Sequence, residues 1–121
     1  MNQNWYSLWK PRLEVRFYMS ASGNEPVRDW PLELPKNARR AIGEDIKTVQ
    51  LGWPLGMPLV RKMEAGLWEI RCGIPDGIAR VLFTTIGATM VLLHAFVKKS
   101  RATPANELDI ARQRRHEVHH D

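Results

Sequence analysis

Leu67-Trp68-Glu69-Ile70-Arg71-Cys72-Gly73, then Ile74-Pro75-Asp76-Gly77, then Ile78-Ala79-Arg80-Val81-Leu82-Phe83-Thr84-Thr85-Ile86, then Gly87-Ala88, then Thr89 through His94 to Lys99: this stretch decides the fold. Its three long runs are rich in β-branched and aromatic residues, and turn residues separate them, so they read as consecutive antiparallel strands. Ile74-Pro75-Asp76-Gly77 suits a type I turn, with Pro at the second position and Gly at the last. Gly87-Ala88 suits a two-residue II′ hairpin loop, in which Gly takes the positive φ.

These turns predict a register. With Pro75-Asp76 central, Gly73 pairs with Ile78 and Arg71 falls opposite Arg80. With Gly87-Ala88 as the second loop, Ile86 pairs with Thr89 and Arg80 falls opposite Ala95. Side chains alternate faces along a strand, so Arg71, Arg80 and Lys99 share one face with Glu69. Like charges directly across a ladder repel. Two opposed arginines therefore suggest an anion site, most simply for phosphate; the other reading is two solvated arginines on an open sheet face.

Working outward, Leu13, Val15, Phe17 and Met19 alternate with Glu14, Arg16 and Tyr18, which predicts a strand with one buried face. Ser20 to Glu25 is a turn. Pro26 suits the first position of a short helix, with Val27, Trp30 and Leu34 as its apolar stripe. After Pro35 a longer helix runs from about Lys36 to Gln50, with Ala38, Ile42, Ile46 and Val49 at helical spacing. Arg39 and Arg40 read as part of its solvated side, the other reading being contact with a partner. Gly52 to Pro58 is a loop. Leu59 to Met63 is a short strand carrying Arg61 and Lys62, followed by a turn at Ala65-Gly66. Beyond Lys99, Thr103 is placed to cap a helix with Pro104 at its first position. That helix is expected to end near His116. Its Arg112, Arg114 and Arg115 suit a helix C-terminus, and His116, His119 and His120 read as a frayed tail without metal-binding geometry.

The chain of 121 residues is long enough for one core-bearing domain. Met1 to Lys10 is read as an N-terminal extension, and residues 11–121 as a single domain. The net charge of +5 favours an acidic partner such as nucleic acid. The N-terminus lacks the pattern of a signal peptide and no apolar run approaches a membrane span, so a cytoplasmic protein without a membrane is expected. Cys72 is the only cysteine, which excludes an intrachain disulfide; in mid-strand it reads as a small buried hydrophobe. Trp68, Phe83 and Phe96 read as core.

The ordered set Pro26-Val-Arg-Asp-Trp, Leu59-Val-Arg-Lys-Met, Gly66-Leu-Trp-Glu-Ile-Arg, Ala79-Arg-Val-Leu-Phe and His94-Ala-Phe-Val-Lys-Lys-Ser, followed by Thr103-Pro104 and a helix, resembles the RelE/ParE toxin superfamily. The nearer likeness is to the phage-related HigB-like toxins of type II toxin–antitoxin systems. The resemblance spans roughly Leu13 to Arg115. It implies an α+β domain: a small antiparallel sheet with two N-terminal helices and a C-terminal helix, the RelE-like microbial ribonuclease-type fold. It also implies a ribosome-dependent mRNA endoribonuclease (mRNA interferase) that inhibits translation. Cleavage proceeds without a metal or cofactor, by attack of the ribose 2′-OH on the adjacent phosphate.

On this resemblance Arg71, Arg80 and Lys99 fall at basic positions of the family, with Lys98 beside them, and Glu69 is a candidate base where other members carry lysine. Arg61, Lys62 and His94 are candidate RNA contacts. His94 has a suitable unperturbed pKa for a proton donor, but the register above sends it to the face opposite Arg80, where it reads as a core histidine. The family's aromatic residue near the C-terminal segment has no match after Lys99. The implied partners are the ribosome, mRNA and a HigA-like helix-turn-helix antitoxin. The alternatives are a ParE-like gyrase poison on the same scaffold, or a non-catalytic nucleic-acid-binding module whose cations only neutralise phosphates.

Overall fold

The computed structural model describes residues 12–98 and 102–120. The proposed N-terminal extension and Lys99 lie outside the described residues. The chain forms a mixed α+β fold: β1 (Glu14–Phe17), α1 (Pro26–Asp29), a 3-10 turn (Trp30–Glu33), α2 (Lys36–Gly52), β2 (Val60–Glu64), β3 (Leu67–Ile74), β4 (Gly77–Ile86), β5 (Thr89–Lys98) and α3 (Ala105–His119).

The strands make one five-stranded sheet in the order β1-β5-β4-β3-β2. Both tight turns form where their residues direct them. Ile74 pairs with Gly77 across Pro75-Asp76, and Ile86 pairs with Thr89 across Gly87-Ala88. Gly87 adopts φ +58° and Gly66, in the β2–β3 turn, φ +74°, a region that side chains with a Cβ avoid. The sheet is mixed rather than antiparallel throughout, because β1 pairs parallel with β5, from Glu14–Thr89 to Phe17–Leu92. Parallel pairing needs a long crossover. Here β1 lies at the edge beside the last strand, and the helices and central strands intervene in the chain.

The two faces are buried by different helices. Ile70, Cys72, Ala79, Val81, Phe83, Met90 and Leu92 pack with Val27 of α1 and Ile42 and Val49 of α2. Trp68 and Phe83 stand directly opposite and stack with centroids 5.7 Å apart, and Trp53 meets the pair edge-on. Cys72 is fully buried in this layer. Burial, with Asp45 beside it, raises its thiol pKa. On the opposite face Leu67, Leu82, Val91, Leu93 and Phe96 pack with Leu108, Ala111 and Val118 of α3.

Three sequence expectations need correction. The first N-terminal helix is a single α-turn that tightens into a 3-10 turn at Trp30–Glu33, because Pro31 has no N–H for an α-type bond. Tyr18 is buried rather than solvated, and Met19 is 59% exposed. Tyr18 lies beneath α3, where its hydroxyl bonds Glu117 and the Arg114 guanidinium stands 5.0 Å from its ring centroid. The tail of α3 is helical to His119, whose Nε2 lies 3.0 Å from Thr84 Oγ1.

Candidate active site

The β3–β4 ladder sets Arg71 directly opposite Arg80 and Glu69 opposite Leu82. Pairing with β2 adds Arg61 opposite Glu69, and pairing with β5 adds Lys98 opposite Ile78. By alternation, Glu69, Arg71, Arg80, Arg61 and Lys98 all belong to the α3 face. Lys62 does not. It pairs with Trp68, whose side chain packs in the α2 layer, so the register puts Lys62 on the other face.

The expected face is not open. Glu69 and Arg80 are both 0% exposed, whereas Arg71 and Lys98 are half-buried and Arg61 is exposed. Arg80 Nη1 lies 3.9 Å from Glu69 Oε1, an ion pair without a direct hydrogen bond. Thr103 completes the connection: its hydroxyl donates to Glu69 Oε2 at 2.5 Å and accepts from Arg80 Nη1 at 3.0 Å. Thr103 was expected to cap α3. Instead Pro104 is the N-cap residue and no side chain caps the helix.

The electrostatics are tense. Burial pushes the Arg80 pKa down, Glu69 opposes that shift, and the like charges of Arg71 and Arg61 add to it. A guanidinium stays protonated nonetheless. Glu69 therefore supports a buried cation, and removing Arg80 leaves the buried carboxylate without its paired charge. Glu69 Oε1 has no hydrogen-bond partner among the described residues. A buried acceptor left unpaired costs about 1–3 kcal/mol.

His94 is where the expected register fails. Leu82 pairs with His94 and Phe83 with Leu92, so Leu93 is an extra residue in β5. This β-bulge moves the partner of Arg80 from Ala95 to Phe96. Leu93 packs in the α3 layer while the His94 ring also reaches α3, with Nε2 2.6 Å from Glu107 Oε2. Arg114 Nη1 stands 3.4 Å from His94 Nδ1, and Phe96 stacks on the ring at 5.8 Å. His94 thus shares the face of Arg80. The same slip gives Lys98 the place on this face that Lys99 was expected to hold.

Arg112 and Arg115 both bond Glu64 of β2, and Arg114 donates to the Leu93 carbonyl. These contacts tie the second half of α3 to the sheet. Sequence reading assigned the arginines to the helix C-terminus and missed the tie, because Glu64 gives no sign of its distant partners. It also missed the contacts of Thr103, read as a helix cap, and of Glu107, which carries no local signal of its distant partner. Among the described residues no group of three or more His, Cys, Asp or Glu side chains is placed to hold a metal ion. No helix among them is long and apolar enough to cross a membrane.

A basic sheet face with a capped carboxylate–arginine pair is thus carried on strands β3 to β5. These strands lie within residues 29–116, the part of the chain that matches the model of a phage-derived Gp49-like protein. The chain belongs to the Gp49-like family. This family is phage-derived and associated with toxin-like function. No curated protein matches the chain significantly. In this Gp49-like protein the matched region begins just before the 3-10 turn and contains every candidate site residue, so the site belongs to the family's domain.

Chemically, Glu69 and Arg80 offer one hydroxyl oxygen a proton acceptor on one side and a cationic donor on the other. Arg71, Lys98 and Arg61 add positive charge on the same face, where a phosphate beside that hydroxyl would gain from it.

Proposed function

We propose that this Gp49-like protein is the toxin of a type II toxin–antitoxin system, a HigB-like member of the RelE/ParE superfamily that cuts mRNA on the ribosome. The observation that carries the proposal is the β3–β4 register, which opposes Arg71 to Arg80 and sets Glu69 on the same face. Opposed arginines cost stability, and an anionic substrate gives them a purpose.

In the proposed reaction the Glu69 carboxylate takes the proton of a ribose 2′-OH. The 2′ oxygen then attacks the adjacent phosphorus and the bond to the 5′ oxygen breaks. A proton passes to that leaving oxygen, giving a 2′,3′-cyclic phosphate and a 5′-OH end. Arg80, Arg71 and Lys98 meet the extra negative charge of the phosphorane-like transition state, the charge that preorganised cations stabilise best. His94, on this face by virtue of the bulge, is the candidate donor to the leaving oxygen. The proposal needs no metal or cofactor. Its partners are the ribosome, mRNA and a HigA-like helix-turn-helix antitoxin, whose acidic surface would suit the basic face.

Induced expression tests this reading. Growth arrest relieved by the adjacent antitoxin gene is expected, with primer extension showing new 5′ ends inside translated frames only while translation is active. The second reading, a ParE-like gyrase poison, is favoured by one observation: Glu69 and Arg80 are fully covered. DNA breaks and an SOS response without new RNA ends would select it. Normal growth of cells accumulating folded protein would exclude both.

A further inference from the structure

The covering of Glu69 and Arg80 is itself informative. A hydroxyl supplies one donor and two acceptor lone pairs. Thr103 uses its proton on Glu69 Oε2 and a lone pair on Arg80 Nη1. A ribose 2′-OH poised between a base and a cation would make the same pair of bonds. We propose that Glu69 and Arg80 form a hydroxyl-binding site occupied in the free protein by Thr103, and that the ribose 2′-OH of an RNA nucleotide displaces Thr103 to enter it. This inference rests on the RNA-cleaving reading and deepens it by assigning Thr103 as an internal stand-in for substrate.

Four observations support an exchange of occupants. Thr103 has no competing duty, since no side chain caps α3. It is half-exposed while the pair it bonds is fully buried, so it stands between that pair and solvent-accessible surface. The arginine ties to Glu64 and Leu93, and the Tyr18–Glu117 bond, all hold the second half of α3. Its first turn is held by the His94–Glu107 contact and the packing of Leu108. Thr103 itself precedes the helix and its N-cap Pro104, so its hydroxyl can be displaced while α3 stays clamped. Glu69 Oε1, without a hydrogen-bond partner among the described residues, shows that Thr103 leaves half of the carboxylate unsatisfied.

The test uses the full chain and two probes. Phenylglyoxal modifies accessible arginines, and peptide mass spectrometry reads Arg80 separately from Arg39. Adenosine 3′-monophosphate carries a 2′-OH beside a phosphate, and its 2′-deoxy counterpart carries the phosphate alone. In Thr103→Val, which keeps the shape but removes the hydroxyl, Arg80 labelling should rise about tenfold, the factor expected for losing a charge-assisted hydrogen bond. Affinity for the ribonucleotide should rise about as much, and affinity for the deoxynucleotide by clearly less. Thr103→Ser should match wild type. In wild type, the ribonucleotide should speed amide exchange around Thr103, which keeps the test decisive if the valine variant fails to fold.

Unchanged Arg80 labelling and nucleotide affinity in a folded Thr103→Val would overturn the inference. So would equal gains for both nucleotides, since the site would then take a phosphate and not a hydroxyl. Wild-type exchange indifferent to the ribonucleotide would do the same. If the labelling and nucleotide arms respond while no RNA is cut, the hydroxyl site stands and the nuclease reading falls. If RNA is cut and neither arm responds, only this inference falls.

Discussion

Arg71 lies directly across the β3–β4 ladder from Arg80, with Arg80 fully buried and Arg71 half-buried. Burial and the charges of Arg71 and Arg61 lower the Arg80 pKa, and Glu69 is the neighbour that sustains its charge. The arrangement pits stability against charge density, and the variants below separate the two.

Arg71→Ala should make the free protein more stable, because it relieves a like-charge cross-strand pair worth about 0.2–1 kcal/mol. The measurement is the midpoint of urea unfolding, which should rise for Arg71→Ala and stay near wild type for Arg39→Ala.

Arg80 behaves differently because Glu69 lies buried beside it. Arg80→Met strands the carboxylate and should cost about 3–5 kcal/mol. Glu69→Leu with Arg80→Met should cost much less than the sum of the singles, since an apolar pair replaces the ion pair. A double-mutant cycle by chemical denaturation gives the coupling directly. Arg80→Ala is for this reason a poor test of catalysis: loss of activity in it would mix chemistry with unfolding.

The α3 clamp should loosen in acid. Hydrogen bonds from Arg112 lead the effects that hold the Glu64 pKa below its ordinary value of 4.5, with Arg115 also contributing. A depressed folded-state pKa means that this contribution is complete above about pH 4.5 and is lost as pH falls through the lower folded value. Amide exchange of α3 should accelerate over that window in wild type. Glu64→Gln should remove this pH dependence and leave α3 exchanging faster at neutral pH.

Cys72 should resist thiol reagents in the native state, since burial raises its pKa and only the thiolate is nucleophilic. Reaction with Ellman's reagent should follow global unfolding and appear in step with the denaturant transition.

Much of the sheet was legible because its turns carry their own chemistry. Pro75-Asp76 and Gly87-Ala88 fixed two hairpins, and with them the Arg71–Arg80 opposition, from neighbouring residues alone. The bulge was hidden for a physical reason. Met90 to Leu93 are buried on both faces of the sheet, so apolar residues follow one another and no alternation marks the extra residue. One inserted residue then changed the faces assigned to His94 and Lys98. The parallel pairing of β1 with β5 and the contact of Thr103 with Glu69 depend on long-range packing. Local pattern said strand for one and helix cap for the other, and neither reading identifies a partner remote in the chain.

If the cations of this face act on a phosphate during RNA cleavage, removing one slows the chemical step. Single-turnover cleavage of mRNA on programmed ribosomes tests it most directly, comparing wild type, Arg71→Ala and the Arg39→Ala, Arg40→Ala double variant, whose exposed positions lie on α2, across the sheet from the site. Loss of one transition-state contact typically lowers the rate by about 10²–10³. Arg71→Ala should therefore cut at least about a hundredfold more slowly while folding at least as stably as wild type, and the α2 double variant should cut at the wild-type rate. Equal rates for Arg71→Ala and wild type would contradict the account.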